Sequence, residues 1–189
     1  MPPQKRVFDI VLTTILIVLL SPLFVGVALA VKMTSRGTIL HWSDRVGQNN
    51  RIFRMPKFRS MRMDTPQLAT HLLLDPSKYL TYVGGILRKT SLDELPQLFS
   101  VLRGDLSLVG PRPALFNQKD LVAMRTRRGV DALVPGITGL AQINGRDELP
   151  IPVKVNFDYE YLQRRSFIFD IKILLMTASK VALRQGVSH

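Results

Sequence analysis

IVLTTILIVLLSPLFVGVALAV, residues 10–31, is 22 residues long and carries no charged side chain. About 20 apolar residues carry a helix across the hydrocarbon of a bilayer, so the stretch reads as a membrane element. Ser21 and Pro22 sit almost at its midpoint. Proline cannot donate a backbone hydrogen bond, and its ring clashes with the carbonyl four residues back, here that of Val18. The residue before a proline is itself pushed away from helical angles. A bend in mid-hydrocarbon is therefore predicted, with the Ser21 hydroxyl placed to satisfy a freed carbonyl.

The flanking charges bear on topology. Lys5 and Arg6 precede the stretch; Lys32 and Arg36 follow it. Basic residues favour the cytoplasmic side of a bacterial membrane. A straight span puts one pair on the wrong side, whereas a helix that breaks at Ser21–Pro22 and returns keeps both pairs cytoplasmic. A re-entrant helix–break–helix over residues 1–36 is favoured, with a tilted, proline-kinked span as the alternative. Residues 37–189 then form a cytosolic, interfacial catalytic domain. A cleaved signal peptide fits poorly, because the apolar run is too long and no small-residue cleavage site leads into a polar start.

Outside this stretch the chain is strongly basic, with 26 Lys and Arg against 14 Asp and Glu, for a net charge of +12. Such a surface seeks polyanions. Beside a membrane element, anionic lipid and phosphorylated substrates are favoured over nucleic acid, and no nucleic-acid partner is expected. There is no cysteine, which fits a reducing compartment and excludes thiolate metal sites. His41, His71 and His189 show no ligand spacing.

The fold class predicted is α/β: mostly helical, with a small β-hairpin, the re-entrant element, and amphipathic helices in the interface. Residues 38–44 read as a strand, the Gly-Gln-Asn-Asn segment 47–50 as a turn, and 51–55 and 57–61 as returning extended segments. A short apolar helix is expected around 68–74. In residues 90–102, Ser91-x-x-Glu94 matches a capping box, and Leu92, Leu95, Leu98, Phe99 and Leu102 recur at helical spacing and should pack inward. Gly104 should end that helix. A short strand at 107–109, a rigid Gly-Pro-Arg-Pro loop at 110–113, a helix at 115–128 and a glycine-punctuated loop with one strand at 135–146 follow. Helices close the chain at 153–163 and 167–184. The last carries Asp170, Lys172 and Lys180, which are costly in hydrocarbon. It suits the interface, or equally a place in the core.

The chemistry is sought among the carboxylates and the basic clusters. Asp93 and Glu94, adjacent at a helix start, have an ordinary explanation in the helix dipole. Arg88 and Lys89 lie just before them, however, and a carboxylate in a cationic setting can serve as nucleophile or metal ligand. Arg112, between two prolines, presents its guanidinium fork on a stiff backbone, which suits bidentate phosphate contact. Lys57 and Arg59 form a further basic cluster, with Phe58 on the opposite strand face. Read alone, such a cluster is more often a solvated face.

Together, KRVFDI (5–10), the apolar run with Ser21–Pro22, KFRSM (57–61), RKTSLDELPQLFSVLRGDLSLVGPRP (88–113) and PGITGLAQINGR (135–146) closely resemble the bacterial sugar transferase family. Within it the chain is similar to the small monotopic phosphoglycosyl transferases, which act as polyprenyl-phosphate phosphoglycosyl-1-phosphate transferases. The resemblance runs from about Lys5 to the C-terminus; residues 68–82 match no motif. It implies transfer of a phosphosugar from a UDP-sugar to undecaprenyl phosphate with release of UMP, at the cytoplasmic face of the inner membrane. It implies that Asp93 attacks the sugar-bearing phosphate to form a covalent intermediate, with Glu94 completing the dyad. A Mg²⁺ ion is implied next to Asp93, and Arg112 in contact with phosphate. By the same resemblance Lys57 and Arg88 are substrate-site residues and Ser21 and Pro22 the membrane break; Arg59, Gln142, Arg146 and Asp158 are further candidates for substrate or phosphate binding.

The physics agrees. Phosphoryl transfer is mostly positioning and charge neutralisation, and an anionic nucleophile needs cations to approach a diphosphate. Two rivals stay open at this point: transfer without a covalent intermediate, and a membrane-tethered module that binds anionic lipid or nucleic acid. The motifs specify neither the sugar, the pathway nor the oligomeric state.

Overall fold

A computed structural model of the chain describes residues 1–62, 65, 76–145 and 149–183. Helices α1 (Pro3–Leu19) and α2 (Ser21–Thr34) meet at Leu20 with a bend of 62°. Ser21 Oγ donates to the Val18 carbonyl at 2.8 Å, the carbonyl that Pro22 cannot serve. Leu20 and Phe24 N–H groups still reach Leu16 and Leu20 carbonyls at 2.9 Å, so the disruption stays local. Among the described helices none is alone long and apolar enough to cross a membrane; this bent pair passes by length and composition together. Its outer surface exposes Val11, Val18, Leu19, Val25, Leu29 and Met33.

The inner surface of α1 is bolted to the rest of the molecule. Arg6 donates to the Val101 and Leu102 carbonyls at 2.6 and 2.7 Å, and Lys5 pairs with Asp170 at 2.7 Å. Asp9, fully buried, accepts from the Ser107 hydroxyl at 2.7 Å and the Leu108 amide at 3.4 Å. Phe8, Leu12 and Leu16 pack on the main core, whose fully buried members include Val101, Leu106 and Ile173.

Strands β1 (Leu40–Val46) and β2 (Ile52–Phe58) pair antiparallel, with His41 opposite Lys57 and Trp42 opposite Pro56. Asn49 and Asn50 turn the hairpin in the left-handed region, which their side chains tolerate. β2 runs unbroken through Pro56, where two separate extended segments were expected. In this two-stranded sheet each strand has an open edge, and there a missing N–H costs little. Phe58 turns away from Lys57 into a second cluster with Val27, Val31 and Leu87, which joins α2 to the hairpin.

The segment 90–102 departs most from expectation. Helix α3 (Gly84–Lys89) ends before it, Ser91 adopts a left-handed φ of 56°, and Leu92–Glu94 form a 3₁₀ turn. Only after Pro96 does α4 (Gln97–Arg103) begin, ending at Gly104 with φ 96° as the sequence predicts. The capping box does not form: Ser91 makes no side-chain cap, and the Glu94 carboxylate is drawn off by cations on other elements. Leu98 is buried as expected, but Phe99 is 46% exposed, its ring 5.7 Å from that of Phe24. The break shifts the turn's phase relative to one continuous helix.

Strand β3 (Ser107–Val109) pairs in parallel with β4 (Gly136–Thr138). The approach demands glycine: a Cβ on Gly136 would lie 2.1 Å from the Gly110 nitrogen, and one on Gly139 2.1 Å from the Gly110 oxygen. Helix α5 (Lys119–Arg127) starts later than expected, short α6 (Leu140–Ile143) follows β4, and α7 (Ile151–Arg164) and α8 (Phe167–Ala182) close the fold. α8 buries Asp170 and Ile173 against the core and exposes Ile168, Leu175 and Val181, so it is core on one face and apolar surface on the other. The helix expected at 68–74 and the candidate Arg146 lie outside the described residues.

Candidate active site

Asp93 sits in the 3₁₀ turn between α3 and α4, 7% exposed. The left-handed Ser91 just before it is held against its own preference, at a cost of order 1 kcal/mol, and such strain gathers at functional sites. The irregular turn, rather than a regular helix start, aims two adjacent carboxylates. Burial pushes the Asp93 carboxyl above the usual aspartate range; Lys57 pulls it down, the neighbouring Glu94 charge raises it again, and Arg88 pulls it down. A metal cation arriving here would shift that balance toward the ionised form, whereas the negative charge of a diphosphate would shift it back toward the neutral one.

Glu94 faces cations from two distant elements. Lys57 Nζ of β2 donates to Oε1 at 2.8 Å, and Arg112 Nη2 of the Gly-Pro-Arg-Pro loop meets the same oxygen at 3.3 Å. Arg88, at the end of α3, approaches Met61 Sδ at 3.1 Å while its charge acts on Asp93. The fold thus gathers Lys57, Arg88, Asp93, Glu94 and Arg112 from three regions of the chain into one cationic, partly desolvated cluster around a carboxylate pair.

Three other candidates are placed differently. Arg59 is 5% exposed and donates to the Arg36 carbonyl at 2.7 Å and the Thr38 hydroxyl at 2.6 Å. Its guanidinium joins the hairpin to the end of α2. Asp158 is 1% exposed and accepts from Arg125 Nε and Nη2 at 2.9 and 2.6 Å. Its burial raises its carboxyl and the Arg125 charge lowers it, and its Oδ2 is taken up by this internal ion pair. Gln142, on α6, is buried, and neither amide atom has a hydrogen-bond partner among the described residues.

Two residues near these groups, His41 and Arg125, carry no site signal in the sequence pattern. His41, exposed on β1, lies directly across from Lys57 and so shares its face of the hairpin; partial desolvation, with the cations Lys57, Arg45 and Arg59, holds its imidazole below the usual range. Hairpin register could have flagged it. Arg125 read only as part of a basic helix end.

Among the described residues no three His, Asp or Glu side chains gather into a metal cage. The donor set still suits one kind of ion. Mg²⁺ is commonly held by one or two carboxylates together with substrate phosphates and water. Asp93 offers such a carboxylate beside a cationic cluster fit for a diphosphate.

The sequence model of the family described as bacterial sugar transferase matches residues 2–184. The undecaprenyl-phosphate glucose phosphotransferase of Komagataeibacter xylinus is 41% identical over 94% of this chain, which spans 35% of that protein. The exopolysaccharide production protein ExoY of Sinorhizobium fredii is 34% identical over 97% of this chain and 87% of its own length. The UDP-glucose:undecaprenyl-phosphate glucose-1-phosphate transferase of Escherichia coli is 40% identical over 93% of this chain and 39% of its own. The chain therefore spans well under half of two of these relatives and most of the third.

Proposed function

Since the chain belongs to the bacterial sugar transferase family, we propose that it is a phosphoglycosyl transferase moving a sugar-1-phosphate from a UDP-sugar to undecaprenyl phosphate, with UMP as the leaving product. The observation that carries this reading is the buried Asp93 under the charges of Lys57 and Arg88, with the adjacent Glu94 tied to Lys57 and Arg112. The names of the Komagataeibacter and Escherichia relatives point to the same acceptor, and the latter to a UDP-linked donor.

In this mechanism the Asp93 carboxylate attacks the sugar-bearing phosphorus. The bond from that phosphorus to the bridging oxygen breaks, UMP leaves with the electron pair, and an aspartyl phosphosugar remains. The phosphate oxygen of undecaprenyl phosphate then attacks the same phosphorus, breaks its bond to Asp93, and restores the carboxylate. Arg112, Lys57 and Arg88 offset the diphosphate charge that would otherwise repel the nucleophile. Glu94 holds Lys57 and Arg112 in register. A Mg²⁺ ion held by Asp93 and the donor's phosphates would supply further charge neutralisation.

The bent pair α1–α2 acts as a re-entrant anchor at the cytoplasmic face of the inner membrane. Its exposed apolar side chains support this reading: a continuous surface of that kind calls for lipid. The acceptor's tail then stays in the bilayer while its phosphate meets Asp93 at headgroup depth.

The test is UMP release by the purified chain in nanodiscs with Mg²⁺, undecaprenyl phosphate and a panel of UDP-sugars. Release with at least one donor is expected; none with any donor overturns the reading. Donor alone should add one phosphosugar to the peptide around Asp93. An unmodified peptide alongside undiminished turnover removes the covalent route.

A further inference from the structure

The loop that carries Arg112 contains two prolines, which supply no N–H of their own. Its carbonyls are instead taken up one after another by other parts of the fold. The Pro111 carbonyl accepts from the Gly136 amide of β4 at 2.9 Å. The Arg112 carbonyl accepts from Arg125 Nη1 of α5 at 2.8 Å. The Pro113 carbonyl accepts from Arg45 Nη1 of β1 at 3.3 Å, and the Ala114 carbonyl from the Val46 amide at 2.9 Å. Four successive carbonyls are thus held by a second strand, a helix and the hairpin.

Of these partners Arg125 alone grips the residue that meets Glu94. It is 8% exposed, and its other two nitrogens are both spent on Asp158 Oδ2. The five-donor guanidinium is rigid and planar, so two donors fixed on Asp158 dictate where the third points. It points at the backbone of Arg112. Asp158, 1% exposed on α7, is in turn set by the helix that carries it.

We propose that Arg125, oriented by Asp158, is the positioning residue for Arg112: it fixes the backbone from which that guanidinium reaches Glu94 and the donor's phosphates. The inference rests on the reading of Arg112 as a phosphate-contacting residue. Binding energy spent holding a cation in place shows up as rate, and a displacement of about 1 Å at a reacting site costs on the order of 100-fold. Lysine at position 125 would keep the charge beside Asp158 but lacks the third, divergent donor.

The experiment is a double-mutant cycle on the full chain in nanodiscs, with kcat, KM and Tm measured together. Arg125→Lys should lower kcat/KM for the UDP-sugar about 10–100-fold, with cooperative melting retained. In an Arg112→Lys background the same change should cost less than about threefold, because the residue it positions has been altered. Asp158→Asn, which loosens Arg125 without removing it, should show a smaller loss with the same dependence on Arg112. An equal loss in both backgrounds, no loss at all, or loss of cooperative melting in Arg125→Lys overturns the inference. UDP serves as a probe that needs no turnover: it should raise the Tm of the parent chain and raise that of Arg125→Lys less. An equal rise in both, or none in the parent, also overturns it. Absence of UMP release from the parent chain is a separate result, which bears on the transfer reading itself.

Discussion

Lys57 Nζ stands 2.8 Å from Glu94 Oε1, joining the end of a hairpin strand to a turn 37 residues further along the chain. The same oxygen takes Arg112, so one carboxylate organises two cations. Glu94→Gln keeps the shape and removes the charge. Charge-assisted hydrogen bonds contribute about 1.5–3 kcal/mol, so a loss of stability toward the lower end is expected at this partly exposed site. The larger effect should be on transfer, a fall in kcat/KM of about 10–100-fold, read from UMP release. Turnover at the parent rate would show that Glu94 orders nothing of consequence.

Asp93 contributes to stability with a definite sign. Burial raises its folded-state value above the ordinary carboxylate value near 4, so the neutral form is the one the fold favours. Stability from this group is full below the unfolded value and is lost as pH rises through the raised folded value. Asp93→Asn should therefore melt higher than the parent chain at pH 7, with the gap closing as pH falls toward 4. The same variant should release no UMP. A Tm gap that widens on acidification would reverse the sign and refute the burial argument.

The bend at Leu20 has a topological consequence. Single cysteines at Gln4 and Thr34 should both react with a membrane-impermeant thiol reagent from the cytoplasmic side. Ser21→Ala with Pro22→Ala restores the missing hydrogen bond and removes the ring clash. In that variant the two positions should label from opposite sides. Opposite-side labelling in the parent chain would mean a kinked span.

Gly136 should not tolerate a side chain. Its added Cβ would fall 2.1 Å from the Gly110 backbone, and backbone cannot rotate away. Gly136→Ala should cost about 1–3 kcal/mol in denaturant unfolding, and transfer should fall with it because Gly136 also holds the Pro111 carbonyl. Parent-like stability would show that the two strands part freely.

Local chemistry made much of this molecule legible in advance. Pro22 and Ser21 act on carbonyls within four residues, so the bend and its repair could be read directly. Gly104 and the Asn pair of the hairpin turn are likewise local signals. The segment around Asp93 misled for the converse reason. Ser91 and Glu94 have the residue types of a capping box, but Lys57 and Arg112, 37 and 18 residues away, draw the Glu94 carboxylate off. Spacing along the chain cannot register a competitor that arrives through packing. Asp158 shows the same blindness: its charge was visible, its burial against Arg125 was not.

The order of residues by itself determined the apolar element and its break, the hairpin, most helices, and which acids and bases were worth suspecting. Each of these follows from hydrophobic periodicity or from backbone preferences that act over a few residues. Only the tertiary structure decided which cations meet which carboxylates, that the turn at Asp93 is not a helix start, and that Arg125 holds the Arg112 carbonyl while Arg59 braces the end of α2. Those outcomes depend on desolvation and charge contacts between segments far apart in the chain, which exist only once the core has brought them together.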